Sequence, residues 1–217
     1  MSLNVYAIAY PVHTLGPGCR VALWTAGCTK RCPGCMSPEL RSPQSGKPVG
    51  IATLVRRMAA LDLLLPLTGI TISGGEPVDQ AEALGEMLEA LHRSKPEWDI
   101  ILYSGYTLRE IERMEPGARR LLSLVDILID GPYVSGSPSS HPLAGSGNQG
   151  IHPLSPRGVL MGEALGSLQG DGPDLGIGPE GLTFAIGVNA VTDIRKASAA
   201  IAERSLQARG PKGCSAR

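Results

Sequence analysis

GITISGGEPVDQAEALGEMLEALHR, residues 69–93, holds a complete change of secondary structure. Ile70-Thr71-Ile72 is short, apolar and rich in β-branched residues, which predicts a buried strand. Gly74-Gly75-Glu76-Pro77 then turns the chain, since glycine tolerates tight conformations and proline stiffens the exit. From Ala81 the pattern becomes helical. Ala81, Leu84, Met87, Leu88 and Leu91 share one face, with Glu82, Glu86, Glu89 and Arg93 largely on the other. Strand, glycine loop and amphipathic helix make one βα unit.

Similar units flank it. Val5 to Tyr10 and Val21 to Thr25 read as extended pieces around the turn Gly16-Pro17-Gly18. Ile51, Leu54, Val55, Met58 and Leu61 recur at helical spacing until Pro66 and Gly69 end the run. Downstream, Ile100 to Tyr103 reads as a strand and Ser104-Gly105-Tyr106 as a turn. Thr107 with Glu110 has the pattern of a capping box that starts a helix. Leu121 to Val125 completes helical packing, and Ile127-Leu128-Ile129 is a strand ending at Asp130-Gly131-Pro132.

Four or five such units predict an α/β fold with a mostly parallel sheet and right-handed crossovers. They are too few for a closed eight-stranded barrel, so an open, partial βα barrel is expected. Functional residues should gather at the C-terminal ends of the strands, where Glu76, Ser104 and Asp130 fall. From Ser135 to about Gly181 the chain is rich in Gly, Ser and Pro and reads as loop. Leu182 to Val188 is expected as a last strand, Thr192 to Leu206 as a terminal helix and 208–217 as a disordered tail. The expected organisation is a core over 1–157, an extension over 158–207 packed on it, and the tail.

A chain of 217 residues suits one sizeable domain. Twenty basic residues balance twenty acidic ones, so no global field favours nucleic acid or an anionic membrane. The N-terminus carries no basic segment before its apolar stretch, and no run approaches the roughly 20 apolar residues of a membrane span. These features predict a cytoplasmic protein without membrane or nucleic-acid partners. Five cysteines in that compartment, three of them within Cys28 to Cys35, point to metal or redox chemistry rather than a disulfide scaffold.

Cys28, Cys32 and Cys35 have the spacing C-x3-C-x2-C in a loop after an apparent strand. Thiolate sulfur is the natural ligand of cuboidal iron-sulfur clusters, and three thiolates on four irons leave one iron open to another ligand. A structural zinc site would normally want a fourth ligand, from a second C-x2-C or paired histidines, whereas His13, His92, His141 and His152 are scattered. A thioredoxin-like redox motif would use CPGC, residues 32–35, and leave Cys28 unexplained. Cys19 and Cys214 stand apart and read as spare thiols.

AGCTKRCPGCMSPEL at 26–40 resembles the radical S-adenosylmethionine (SAM) superfamily, and within it the activating proteins of anaerobic ribonucleotide reductase and pyruvate formate-lyase. SGGEP at 73–77 is similar to the loop that holds the SAM amino group in that family. YSGY at 103–106 and DILIDGPYV at 126–134 look like its following strand ends, and LAGSGNQGIHPL at 143–154 like a late segment of the reductase activases. The resemblance implies a [4Fe-4S] cluster on Cys28, Cys32 and Cys35, with SAM chelating the open iron. It implies that Gly74 and Gly75 let the backbone approach the methionine moiety, that Glu76 accepts from its amino group and that Pro77 stiffens the exit. Gly34, Cys35 and Met36 would lie near the adenine. Ser104 and Asp130 would stand where a ribose, carboxylate or monovalent-cation contact is made; their plainer reading is a turn-forming Ser and a strand-capping Asp.

The reaction so implied starts with an electron from flavodoxin or ferredoxin and cleaves SAM to methionine and a 5'-deoxyadenosyl radical. In the first reading that radical activates a partner glycyl radical enzyme. In a second, the chain itself modifies a peptide or small molecule, with 135–181 as a lid. In a third, the protein is a non-catalytic iron-sulfur electron carrier.

Overall fold

Apolar strands that lack polar alternation must be covered on both faces, and the tertiary structure follows from that demand. In the computed structural model, which describes residues 1–166, 173–177 and 183–188, seven strands form one sheet. They are β1 (Ser2–Val12), β2 (Arg20–Thr25), β3 (Lys47–Gly50), β4 (Gly69–Gly74), β5 (Asp99–Tyr103), β6 (Ile127–Asp130) and β7 (Gly150–Pro153). Their order is β3-β1-β2-β4-β5-β6-β7. The central four, β2, β4, β5 and β6, are parallel, whereas β1, β3 and β7 join antiparallel at the margins. The sheet is mixed, with a parallel centre, and does not close. β3 carries Pro48, which cannot donate to a ladder and so belongs at an edge.

One face of the sheet is covered by α1 (Ile51–Leu64), α2 (Ala81–Ser94) and α4 (Pro116–Leu122). Leu84, Met87, Leu88 and Leu91 of α2 are fully buried against Leu23, Ile70, Ile72 and Ile100, each contributing about 1.5–3 kcal/mol by transfer from water. The helix expected after Thr107 is split into α3 (Leu108–Ile111) and α4. The capping box is present, with Glu110 N donating to Thr107 Oγ1 (3.3 Å) and Thr107 N to Glu110 Oε2 (2.6 Å). Pro116 opens a new helix at its first turn, where its missing N–H costs nothing.

The opposite face corrects the expectation of a loop over 135–181. Residues 150–153 are β7, 156–166 are α5 (Pro156–Gly166) and 174–177 are β8 (Asp174–Ile177), which pairs with β9 (Thr183–Ile186). Gly and Pro content concealed an i, i+4 pair: Met161 and Leu165 bury with Leu143 against Ile101, Ile127 and Ile129. The last expected strand is shorter than 182–188. Asp174 fastens the β8–β9 pair to the first turn of the chain, accepting from His13 N (2.8 Å), Thr14 N (3.0 Å) and Thr14 Oγ1 (2.8 Å). The expected helix over 192–206, the tail and Cys214 lie outside the described residues. No helix among the described residues is long and apolar enough to cross a membrane.

Candidate functional site

Parallel register aligns the ends of the central strands. Thr25 pairs with Gly74, Ile72 with Leu102 and Tyr103 with Ile129, so the loops after β2, β4, β5 and β6 emerge side by side. The cysteines occupy the first of these loops, an excursion closed at its neck by Gly27 N to Leu40 O (2.9 Å) and Cys28 N to Arg41 O (3.1 Å). The neck is stitched to the glycine loop by Gly75 N to Thr25 O and Glu76 N to Gly27 O, both 2.9 Å. Asn4 and Gln80 secure it from below, both donating through their side-chain amides to Ala26 O at 3.2 Å.

Cys28, Cys32 and Cys35 are all partly exposed free thiols, and Cys35 N donates to Cys32 O at 3.3 Å. The Cys28 thiol donates to Lys30 O (3.0 Å). Its pKa is pushed up to about 11, first by burial and then by the nearby Glu76 carboxyl. A thiolate there needs a positive partner, which iron would supply. Among the described residues no three His, Cys, Asp or Glu side chains converge on one metal ion. A cubane cluster spreads its thiolates over separate irons and does not require such convergence. Arg41 donates through Nη2 to Cys32 O, while its Nε is buried without a partner. Three available thiols beside an unused charged donor fit an anionic cluster.

The glycine loop is tied down more tightly. Gly74 has φ +126°, and a Cβ there would meet Thr25 N and O at 2.3 Å. A Cβ on Gly75 would meet Gly27 O at 2.1 Å and Leu40 O at 2.8 Å. Close passage of the cysteine-loop neck therefore demands glycine at both positions. Pro77 is buried and begins a short 3-10 turn over Pro77–Gln80.

Glu76 is 1% exposed. Its Oε1 accepts from Val78 N (3.0 Å) and Ser104 Oγ (2.8 Å), and its Oε2 from Gly105 N (2.7 Å). Burial raises its pKa to about 7 against the pull of those donors. Ser104 Oγ also accepts from Tyr106 N (3.0 Å), the turn-forming role that its residue type allowed. The structure thus joins Glu76 to Ser104 but sets Asp130 apart. Asp130 accepts from Leu108 N (2.5 Å) and Gly150 N (3.1 Å) and pairs with His152 Nε2 (2.9 Å), binding β6, β7 and α3 together. Gly34 and Met36 form the far side of the cysteine loop. A Cβ on Gly34, at φ +68°, would lie 2.8 Å from Ser135 Cβ. Met36, 42% exposed, reaches toward Gly145 in the loop after β6.

Sequence reading missed the fastening of the cysteine loop. Asp79 accepts from Thr29 N (2.8 Å) and Thr29 Oγ1 (2.9 Å), and from Tyr106 OH (3.1 Å). Lys30 Nζ stands 3.9 Å from the Tyr106 ring centroid and 3.4 Å from Glu110. Asp79 three residues beyond Glu76, on a short polar turn, was the available signal. Arg41, directly after the apolar Leu40, gave none.

The fold and site define an α/β protein with a three-cysteine loop set beside a buried carboxylate at the ends of parallel strands. Residues 14–152 match the family model described as 4Fe-4S single cluster domain. Three sequence relatives bear the name anaerobic ribonucleoside-triphosphate reductase-activating protein. That of enterobacteria phage T4 is 32% identical over 147 residues, covering 66% of this chain and 90% of the relative. That of Vibrio cholerae is 33% identical over 150 residues (66% and 94%), and that of Escherichia coli K12 30% over 151 (67% and 96%). The chain belongs to this family of 4Fe-4S activating proteins.

Proposed function

We propose that this protein is a radical SAM enzyme that activates a partner by forming a glycyl radical, the partner being of the anaerobic ribonucleotide reductase type named for its relatives. The observation that carries the reading is the juxtaposition of a three-thiol loop with a glycine loop and a buried carboxylate at adjoining strand ends. A four-strand parallel centre with its loops on one edge supports a partial barrel of the radical SAM type. In this reading residues 1–157 form the core, 158–207 an extension and 208–217 a tail.

Cys28, Cys32 and Cys35 would hold a [4Fe-4S] cluster. A cluster with bound SAM supplies reductive cleavage of the sulfonium, yielding methionine and a 5'-deoxyadenosyl radical that takes hydrogen from a target. Glu76, held by three donors, orients an acceptor beside the loop neck; an ammonium group brought against it would favour its ionised form. Gly74, Gly75 and Pro77 set the backbone path there, and Ser104 holds Glu76 in place. Gly34, Cys35 and Met36 offer an apolar shelf for adenine. Asp130 stands one strand further on as the candidate ribose, carboxylate or cation contact. Electrons would come from flavodoxin or ferredoxin. Packing of Leu143, Met161 and Leu165 on the sheet leaves less of 135–181 to act as a lid, which supports activation of a partner over self-acting catalysis.

Anaerobic reconstitution tests the reading. The expected result is about four irons per chain, an electron paramagnetic resonance signal altered by SAM, and 5'-deoxyadenosine on reduction. Adding a glycyl radical enzyme encoded beside this gene should produce a glycyl radical signal. An unchanged spectrum with no 5'-deoxyadenosine would overturn the SAM chemistry and leave an electron carrier.

A further inference from the structure

Arg41 sits at the neck of the cysteine loop, and its backbone and side chain serve different strands of it. Its carbonyl accepts from Cys28 N, and its guanidinium Nη2 donates to the carbonyl of Cys32. Of its other donors, Nε is buried and has no protein acceptor. Arg41 and Cys28 line one cleft of about 330 Å³, together with Arg31, Ser42 and Pro43. An unsatisfied buried donor costs about 1–3 kcal/mol, and more when the group is charged. A chain retains such a group most economically where a ligand completes it.

We infer that Arg41 is a cluster-contacting residue, whose guanidinium donates a charged hydrogen bond to sulfur and sets the reduction potential. The inference rests on the cluster reading above. One-electron reduction adds a negative charge to a group already anionic through its three thiolates. A fixed cation that donates an N–H to cluster sulfur stabilises the reduced form more than the oxidised one, which raises the potential. Arg31 is exposed on the rim of the same cleft and is screened by water, so its charge should count for little.

The test compares the anaerobically reconstituted full chain with Arg41→Gln, Arg41→Lys and Arg31→Gln. Iron per chain, the midpoint potential from a spectroscopically monitored redox titration, and the thermal midpoint of the metal-free protein are measured for each. The expected order of potential is wild type, then Arg41→Lys, then Arg41→Gln as the most negative, with Arg31→Gln at the wild-type value. A residue that only staples the loop would lower the thermal midpoint and leave the potential unmoved, and that result overturns the inference. So does an equal shift in Arg31→Gln, which would mark a general charge effect. If Arg41→Gln binds no iron, Arg41→Lys decides by the same criterion. Absence of iron in the wild type is seen before any variant is compared, and would overturn the cluster reading together with this one.

Discussion

The cysteine loop and the glycine loop lie against each other, yet they are built on opposite terms. The glycine loop is closed: both Glu76 oxygens already accept hydrogen bonds, two on Oε1 and one on Oε2, and the two glycines have no room for a methyl group. The cysteine loop is open beyond its neck. Its three thiols are partly exposed, and it is held by a few polar contacts through Thr29, Lys30 and Arg41. A site that must take up an inorganic group needs this division, with one wall rigid and the other able to admit its contents. Substitutions in the two loops should therefore fail differently.

The largest expected effect is on composition. Cys32→Ala should reduce bound iron from about four per chain to background, while the thermal midpoint of the metal-free protein stays near wild type because the side chain is partly exposed. Gly75→Ala should show the reverse ordering of causes. A methyl group 2.1 Å from Gly27 O forces the neck off β4, and a loss of about 2–3 kcal/mol in chemical denaturation is expected. A normal denaturation midpoint would mean that the neck can move aside freely.

Glu76 makes the contrast pH-dependent. Its folded value of about 7 lies above the ordinary 4.5, so the folded chain holds this proton more tightly than the unfolded one. Its contribution to stability is present in full below pH 4.5 and is lost as pH rises through about 7, in total about 3 kcal/mol. Glu76→Gln should flatten that part of the stability profile, and an unchanged slope would assign it elsewhere. Thr29→Val removes the hydroxyl contacts to Asp79 and Tyr106, for an expected loss of about 1 kcal/mol or less and faster amide exchange confined to the cysteine loop. Exchange quickening in β4 as well would erase the distinction between the loops. Cys19→Ala, near the start of β2 and remote from the loop, should leave iron content unchanged.

Much of the framework was legible because it was local. The β-branched run at 70–72, the apolar face from Ala81 to Leu91 and the Thr107–Glu110 box each state their structure within a few residues. The cysteine spacing marked out a loop between two strands in the same way. What escaped was non-local. Nothing near Gly75 says that its constraint is the carbonyl of Gly27, and nothing near Arg41 says that it reaches Cys32. The Gly-rich stretch after 135 hid β7 and α5, since Met161 and Leu165 are informative only once the sheet they cover is known. Ser104 and Asp130 were placed correctly at strand ends. Their present hydrogen bonds are nevertheless those of a turn former and an inter-strand tie.

The neck formed by Gly27–Leu40 and Cys28–Arg41 has a consequence for local opening. Because the backbone is fastened at the base of the excursion, the loop above it can open while the ladder below stays paired. Local opening of that kind costs far less than global unfolding. The strands below the neck can therefore keep their pairing whether the loop above it is filled or empty.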